Sequence, residues 1–338
     1  MKSPAVFFTD LFSGSAAGNK RYTPTPFWVM VRKEVADHIR SWRFIILLAL
    51  IVLTFFASMY VSLGNIRSAV TNFSDPDHLF LYLKLLTITD GTLPPFHVFA
   101  GFLGPLLGIG LGFDAINAEQ NNGTLATLMA QPVYRDNILL SKFTGALILI
   151  STLFLSLALL MIGNGLILTG VHMEAQECFR ILLFILLTII YIGFWLGLSI
   201  MLSVLFRQAA TSALTAIGIW LFFTVFYPIV LNIILKAFLP DPALMDPGQI
   251  THYNAIIANL ERLAPSRLYS DATTTLLMPS VRSLGPLSME QMAGAIPAPL
   301  SPTMSLMIVA PQVCGLLAAT LICFAMTYYL FMRREIRS

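Results

Sequence analysis

The pattern of apolar and polar positions divides the chain into six long apolar stretches separated by polar segments. None of the six contains Asp, Glu, Lys or Arg, and each is close to the roughly 20 residues that a helix needs to cross a hydrocarbon core of about 30 Å. The stretches are Phe44–Leu63, Phe96–Phe113, Phe143–Val171, Ile181–Phe206, Gln208–Leu235 and Met304–Met332. The pattern therefore predicts an all-α integral membrane protein with six transmembrane helices.

The composition supports this prediction. The chain is 57% hydrophobic and 11% charged, whereas soluble domains carry about 25% charged residues. A formal net charge of +3 is too small for the basic surface that nucleic-acid binding requires, so no nucleic-acid partner is expected. The cysteines Cys178, Cys314 and Cys323 have neither a disulfide spacing nor the spacing of metal ligands, and we expect no bound metal.

The distribution of Lys and Arg predicts the orientation. If both termini are cytoplasmic, 13 of the 20 basic residues lie inside, as the positive-inside rule requires. We expect a multi-pass protein of the cell membrane, plasma or inner. Residues 1–26 form its cytoplasmic tail, and residues 43–335 form a single transmembrane domain.

Residues 27–42 have the pattern of an amphipathic helix. Apolar residues recur at spacings of three or four, as on one helix face, and the charged residues Arg32, Lys33 and Arg40 lie off that face. Such a helix lies in the membrane interface as an elbow, with its basic side chains meeting lipid phosphates. Membrane lipids are therefore expected partners. The alternative is that this segment is simply the cytoplasmic start of the first span.

The segment 114–138, between the second and third stretches, predicts a cytoplasmic helical hairpin. Asn121–Gly123 interrupts the helix that continues from the second span. Thr124 then suits an N-cap position. Leu125–Ala130 follows as a short helix roughly parallel to the membrane, and Pro132 ends it.

Two features indicate that this hairpin docks on something. Leu125 and Leu128 are apolar residues in a loop expected to face water. Asp114 and Glu119 lie near a helix C-terminus, where a carboxylate is disfavoured by about 0.3–1 kcal/mol, so a basic partner is expected. The candidate partners are Arg32, Lys33 and Arg40 of the elbow. The alternative is a solvated loop.

Inside the membrane, Gly104, Gly108 and Gly112 recur every four residues in the second stretch. They form a smooth stripe that another helix can approach closely. Packing within the subunit, a subunit interface and a translocation path all remain open for this stripe. In the fifth stretch, Pro228 predicts a kink because it removes a backbone hydrogen bond.

The long segment 236–303 lies outside in this topology. Asn254–Leu263 and Arg267–Met278 have the pattern of short amphipathic helices. We expect them to lie over the outer mouth of the spans. The alternative is a packed cap without a role in substrate handling.

The hairpin, the elbow and the outer segment together resemble the ABC-2 type permeases. The residues that carry the resemblance are Glu119, Gly123, Thr124, Leu125, Leu128, Pro132, Arg135 and Lys142 of the hairpin, Arg32, Lys33 and Glu34 of the elbow, and the stretch Leu263–Pro279. The similarity extends from about residue 27 to residue 335. It is strongest to the subgroup described as multi-copper enzyme maturation or gliding-type permeases.

The resemblance implies an ABC exporter permease that forms the translocation path as a dimer, with a second copy or a related permease, above separate ATPase subunits. In that family the short helix after the second span is the coupling helix, which fits a groove on the ATPase. Carried onto this sequence, the coupling residues are Glu119, Gly123, Thr124, Leu125, Leu128, Pro132 and Arg135, and the elbow charges are Arg32, Lys33, Glu34 and Arg40.

Several functions lack a supporting motif in this sequence. The chain contains no G-x-x-x-x-G-K-[ST], so ATP and Mg²⁺ are expected in a partner ATPase rather than as cofactors of this chain. The uncharged spans disfavour an ion-coupled secondary transporter. No catalytic residue is identified in the spans, which disfavours an intramembrane enzyme. A non-transporting membrane scaffold or regulator built on the same fold stays as the alternative function.

Overall fold

The computed structural model describes residues 26–69, 80–89, 91–124, 134–238, 247–279 and 300–333. All regular structure in these ranges is helical. Six helices are long and apolar enough to cross a membrane: Trp42–Gly64, Phe96–Asn121, Arg135–Ile167, Ala175–Leu205, Ala209–Leu235 and Pro302–Arg333. The prediction of an all-α membrane protein with six spans is therefore confirmed. The third span starts earlier than the apolar pattern predicts, at Arg135 instead of Phe143.

The described helices are α1 Pro26–Arg40, α2 Trp42–Ala69, α3 Leu81–Thr87, α4 Phe96–Gly112, α5 Asn117–Asn121, α6 Arg135–Thr169, α7 Ala175–Leu205, α8 Ala209–Leu221, α9 Tyr227–Phe238, α10 Pro247–Glu261, α11 Pro265–Leu277 and α12 Pro302–Arg333. The amphipathic segment predicted at 27–42 corresponds to α1. One end of the bundle carries α1 and α5 and is called the α1 end below. The opposite end carries α3, α10 and α11 and is called the loop end.

Helix α7 forms the centre of the bundle. Of the residues in its most apolar stretch, 72% are buried, compared with 6% in the fifth span and 17% in the sixth. It packs against α4 on one side and α12 on the other. The fully buried Trp195 and Tyr191 lie on α7. The fifth span, by contrast, presents nearly all of its apolar side chains outward.

The glycine stripe of the second span packs against α7. A Cβ atom on Gly108 would lie 2.7 Å from the backbone oxygen of Ile192, and one on Gly104 would lie 2.9 Å from the side chain of the same residue. A Cβ on Gly112 would lie 3.0 Å from the backbone oxygen of Leu196. Of the roles that the sequence leaves open, the stripe fulfils packing within the subunit, because these glycines let two backbones approach.

The fifth span contains a π-helical turn, Phe222–Phe226, between α8 and α9. Pro228 lies two residues after the end of this turn. Its ring has no N–H and crowds the carbonyl four residues earlier, that of Thr224. A π turn widens the helix by one residue, which accommodates this conflict. The predicted irregularity at Pro228 is thus a local change of helix type.

At the loop end, α3 is anchored by hydrogen bonds to distant residues. The backbone N–H of Tyr82 donates to Glu177 Oε1 over 2.8 Å, and the Tyr82 hydroxyl donates to the carbonyl of Val171 over 2.7 Å. Glu177 also accepts from the backbone N–H of Glu174 and so completes a capping box at the start of α7. One buried carboxylate therefore fixes two helices to each other.

Helices α10 and α11 form a hairpin. The sequence predicted that both helices lie over the outer mouth of the spans, but α11 packs between the spans. Tyr269 of α11 stacks on Tyr191 of α7 with ring centroids 4.3 Å apart, and its hydroxyl is 3.0 Å from Thr188 Oγ1. A Cβ on Gly101 of α4 would lie 3.1 Å from the Tyr269 ring. The polar pattern of this segment suggested a surface position, but its buried tyrosine belongs to the core.

Arg180 holds both ends of this outer segment. Its side chain is fully buried and donates to the carbonyl of Leu276 over 2.9 Å and to that of Leu300 over 2.6 Å. A further bond of 3.1 Å joins it to Ser305 Oγ at the start of α12. The charge is thereby satisfied by oxygen acceptors, as a buried guanidinium requires.

Candidate functional site at the α1 end

Three separate segments meet at the α1 end: helix α1, the segment that follows α4, and the first turns of α6. Helix α1 lies close against α6 because Gly145 has no side chain. A Cβ there would lie 3.1 Å from Glu34 Cβ and 3.5 Å from the carbonyl of Val31. Val31 and Glu34 are the two buried residues of α1. A carboxylate is therefore pressed into the interface between α1 and α6.

Lys142 neutralises this carboxylate. Its Nζ atom lies 3.1 Å from both oxygens of Glu34 and 2.8 Å from Glu119 Oε1. The Lys142 side chain is 5% exposed. One buried ammonium thus joins all three segments, since Glu34 belongs to α1, Glu119 to α5 and Lys142 to α6.

Lys33 closes the group from the solvent side. Its Nζ lies 3.4 Å from Glu34, 3.5 Å from Glu119 and 3.7 Å from Asp37. The Lys33 side chain is 51% exposed, so it contributes less than Lys142 to the energy of the group. Lys33, Glu34, Glu119 and Lys142 are called the ion cluster below.

The charges of the ion cluster shift the pKa values of its α1 members. Burial raises the pKa of Glu34, but the two ammonium groups of Lys142 and Lys33 outweigh it, so the net pKa is lowered. For Lys33, burial lowers the pKa, and the carboxylates of Glu34, Glu119 and Asp37 raise it by more. Both residues are therefore charged at neutral pH, and the cluster acts as a set of fixed ion pairs.

A second ion pair lies beside the cluster. The guanidinium of Arg43, at the start of α2, contacts the carboxylate of Asp114 after α4. Arg43 also lies over the ring of Phe113, 4.8 Å from its centroid, in the geometry of a cation–π contact. This pair attaches the beginning of the first span to the end of the second.

His38 lies between the two ion-pair groups. Burial lowers its pKa, while Glu34 on its own helix and Asp114 across the interface act in the opposite direction. A cleft of about 560 Å³ opens here, and its wall includes His38, Arg43 and the ion cluster. The α1 end therefore has a polar recess between three segments that the ion pairs hold together.

The helix after α4 ends where the sequence predicts a break. Helix α5 ends at Asn121, and Gly123 has φ +70°, a left-handed conformation that favours glycine. The Thr124 hydroxyl donates to the carbonyl of Glu119 over 3.2 Å, and the Asn121 amide donates to the carbonyl of Arg207 over 3.1 Å. These two hydrogen bonds therefore hold the turn at the end of α5 in place.

The predicted coupling residues fall into two groups. Glu119, Gly123, Thr124 and Arg135 are described, and Arg135 lies 5.9 Å from the ring centroid of Phe331 at the end of α12. The others, Leu125, Leu128 and Pro132, lie outside the described residues, as does the predicted short helix that contains two of them.

The sequence predicted a basic partner for Glu119, and only one of the three candidate residues makes this contact. Of the predicted candidates, Lys33 contacts Glu119, whereas Arg32 and Arg40 lie on the exposed face of α1. The nearer partner, Lys142, is 23 residues further along the chain, in what the apolar pattern treats as the approach to the third span. The available signal was a lysine directly before an apolar run, but nothing in the sequence marks Glu34 and Glu119 as its partners.

The described residues of this site interact mainly through ion pairs. Among the residues that the structure describes, no group of His, Cys, Asp and Glu is placed to hold a metal ion. The site can join segments and transmit a displacement between them. A buried ion pair suits this role because its geometry is directional and its separation is costly.

Comparison with known proteins agrees with this architecture. The family model of the ABC-2 family transporter protein matches residues 28–336. The chain is 27% identical over 210 residues to the probable ABC transporter permease protein NosY of Stutzerimonas stutzeri, covering 62% of this chain and 70% of the relative. It is 28% identical over 222 residues to the protein of the same name from Pseudomonas aeruginosa, with the same coverage. Since the family model spans almost the whole sequence, from α1 to the end of α12, the chain belongs to the ABC-2 family of transporter proteins.

Proposed function

We propose that this chain is the permease subunit of an ATP-driven exporter, which pairs with a second permease copy and couples to separate ATPase chains at the α1 end. The observation that carries the proposal is the ion cluster. Lys142 joins α1, α5 and α6 through contacts of 2.8–3.1 Å. A push on the segment that follows Gly123 therefore moves two spans and α1 together.

The proposal places the α1 end in the cytoplasm, where ATP is available. The positive-inside distribution of Lys and Arg supports this orientation. Helix α1 also exposes large apolar side chains, with Trp28 52% and Ile39 50% accessible. These residues suit a helix that lies in the membrane interface and contacts lipid. The membrane is then the plasma or inner membrane, with both termini inside.

Coupling is assigned to the hairpin between the second and third spans. Leu125 and Leu128 would enter the ATPase groove, and Gly123 and Thr124 would set the direction in which they project. Glu119 would pass the displacement to the ion cluster, and Pro132 and Arg135 would carry the chain back to α6. ATP and Mg²⁺ would bind to the ATPase and not to this chain. The similarity to two proteins named ABC transporter permeases supports this division of labour.

The first test is copurification with an ATPase. The tagged permease is coexpressed with the P-loop ATPase of a neighbouring gene, extracted and captured. We expect a complex with two permease copies by native mass spectrometry and ATP hydrolysis in proteoliposomes. If no P-loop ATPase is retained, and none is encoded nearby, the proposal fails.

The coupling assignment is tested with matched leucine variants. Leu125→Asp introduces a charge on the predicted coupling segment, and Leu93→Asp introduces the same charge at the loop end, where the side chain is 36% exposed. We expect L125D to lose the ATPase and L93D to retain it. Equal retention by both variants would refute the coupling role of Leu125.

Direction and cargo need a transport measurement. Candidate cargos encoded by neighbouring genes are offered to inside-out vesicles that contain the complex, and export predicts their ATP-dependent accumulation. A complex that hydrolyses ATP but moves none of them would contradict the exporter and favour a non-transporting scaffold on the same fold.

A further inference from the structure

The hairpin of α10 and α11 reaches into the membrane from the loop end. Ser266 of α11 lies 3.5 Å from the carbonyl of Phe223 in the fifth span. Phe223 is 14 residues after Ala209, which is about 21 Å along a helix. Tyr191, which stacks on Tyr269, is 14 residues before Leu205, again about 21 Å along a helix. Both distances are measured from the α1 end of the span.

Both measurements place the tip of the hairpin well below the outer surface of the hydrocarbon. A hydrocarbon core is about 30 Å thick, so the tip lies about 9 Å inside it when the spans start at the membrane boundary. Helix α10 descends to this depth and α11 returns, since Leu276 is held by Arg180 near the start of α7. The segment is thus re-entrant.

Charged residues occupy the tip. Arg267 lies 3.0 Å from Asp271 and 3.3 Å from Glu261, and Arg262 lies 3.7 Å from Asp271. The hydrogen bond of Arg262 to Asn259 is 3.3 Å long. The apolar stretches of the spans contain no charged residues, but this hairpin places four charged side chains at this depth.

Asp271 is largely enclosed, with 11% of its side chain exposed, but two of the other charges open outward. The Arg267 side chain is 51% exposed and that of Glu261 is 29% exposed. Asn259 and Ser270 are also exposed. A charged side chain that faces lipid inside the hydrocarbon core is strongly disfavoured. The exposed face of the hairpin must therefore meet water or protein instead of hydrocarbon.

We propose that the exposed face of this hairpin, formed by Asn259, Glu261, Arg267 and Ser270, lines a water-filled vestibule that opens at the loop end and extends into the outer half of the membrane. The part of the path beyond the hairpin is then polar and charged, and it receives hydrated polar groups. Water is the occupant that fits, because the face alternates both signs of charge with exposed amide and hydroxyl groups. The vestibule stands whether or not the chain exports, and only its place in a transport path rests on the proposed function.

Cysteine accessibility tests the vestibule. In a background with Cys178, Cys314 and Cys323 replaced by serine, Ser270→Cys and Asn259→Cys place thiols on the exposed face. Leu321→Cys is the control, since Leu321 is 67% exposed on α12 and 12 residues from its end at Arg333, a depth of about 18 Å. A membrane-impermeant, charged methanethiosulfonate is added to right-side-out vesicles.

Because only the thiolate in water reacts, we expect S270C and N259C to be modified at least about tenfold faster than L321C. Rates for S270C and N259C as slow as the control would overturn the proposal. So would rapid oxidation of S270C to a disulfide-linked dimer without modification by the reagent, because the face would then contact a second copy. ATPase retention is measured on the same vesicles, so a failure here is separable from a failure of the proposed function.

Discussion

Replacement of Lys142 by methionine is the sharpest test of the ion cluster. Methionine fills a similar volume but leaves Glu34 and Glu119 facing each other without the ammonium that lies 2.8–3.1 Å from both. Removing one partner of a buried ion pair costs about 3–5 kcal/mol. Lys33 still lies 3.4–3.5 Å from both carboxylates, so we expect the lower end, about 3 kcal/mol.

The measurement is thermal unfolding of the purified protein in detergent. With about 2.1 cal/mol/K of unfolding entropy per residue over 338 residues, a loss of this size lowers the midpoint by about 4 °C. The matched control is Lys33→Met, which removes the same charge from the same cluster at a side chain that is 51% exposed, and exposed pairs contribute at most about 1 kcal/mol. A midpoint for K142M equal to that of K33M would refute the reasoning.

A triple variant separates charge from packing. Lys142→Met combined with Glu34→Gln and Glu119→Gln removes the whole set of buried charges and keeps the side-chain volumes. Removing all partners of a buried ion pair leaves no uncompensated charge and therefore costs less than the about 3–5 kcal/mol for removing one partner. The triple variant should therefore be more stable than K142M alone. If the triple variant is less stable than K142M, the unpaired carboxylates are not the cause of the stability loss in K142M.

Three further predictions concern other parts of the molecule. Gly108→Ala should lower the unfolding midpoint, since its Cβ would lie 2.7 Å from a backbone oxygen of α7. Gly163→Ala is the control, because a Cβ there would have no neighbour within 4 Å. Equal midpoints for the two variants would contradict the packing role of the stripe. Arg180→Met should release the outer segment, seen as faster proteolysis between α11 and α12, and unchanged cleavage would refute the clamp. The pKa of His38 is lowered in the folded protein, so the unfolded chain binds more protons than the folded chain as the pH falls through 6.5. Stability should therefore drop below that pH. His38→Gln should flatten this pH dependence in unfolding scans from pH 7 to pH 5.

The six spans were predictable because each is a continuous apolar run of sufficient length, and the break after α5 was predictable because Asn121–Gly123 contains residues that end helices. The glycine stripe was visible as a spacing, but its partner was not. Ile192 lies on a different span, and nothing in the local sequence marks the face of α7 that meets Gly108. Local patterns specify elements, and pairing depends on contacts distant in sequence.

The hairpin of α10 and α11 shows the limit most clearly. Its two helices were expected, but over the outer mouth of the spans. The structure places Tyr269 against Tyr191 in the core and pairs Arg267 with Asp271 at the same depth. Likewise, Glu34 and Lys142 are 108 residues apart, so their pairing could not be inferred from spacing. The buried Lys142 meets its counter-ion Glu34 only through the fold, whereas Arg267 and Asp271 lie four residues apart on α11.

The Arg180 clamp has a consequence for protein engineering. The chain leaves α11 at Pro279 and returns at Leu300, whose backbone N–H donates to the carbonyl of Pro279 over 3.0 Å. Exit and re-entry points are therefore adjacent, and Arg180 fixes both sides through Leu276 and Leu300. Closure of a loop depends only weakly on its length. We therefore expect that residues 280–299 can be shortened, or exchanged for a reporter domain whose own termini lie close together, with an unchanged unfolding midpoint.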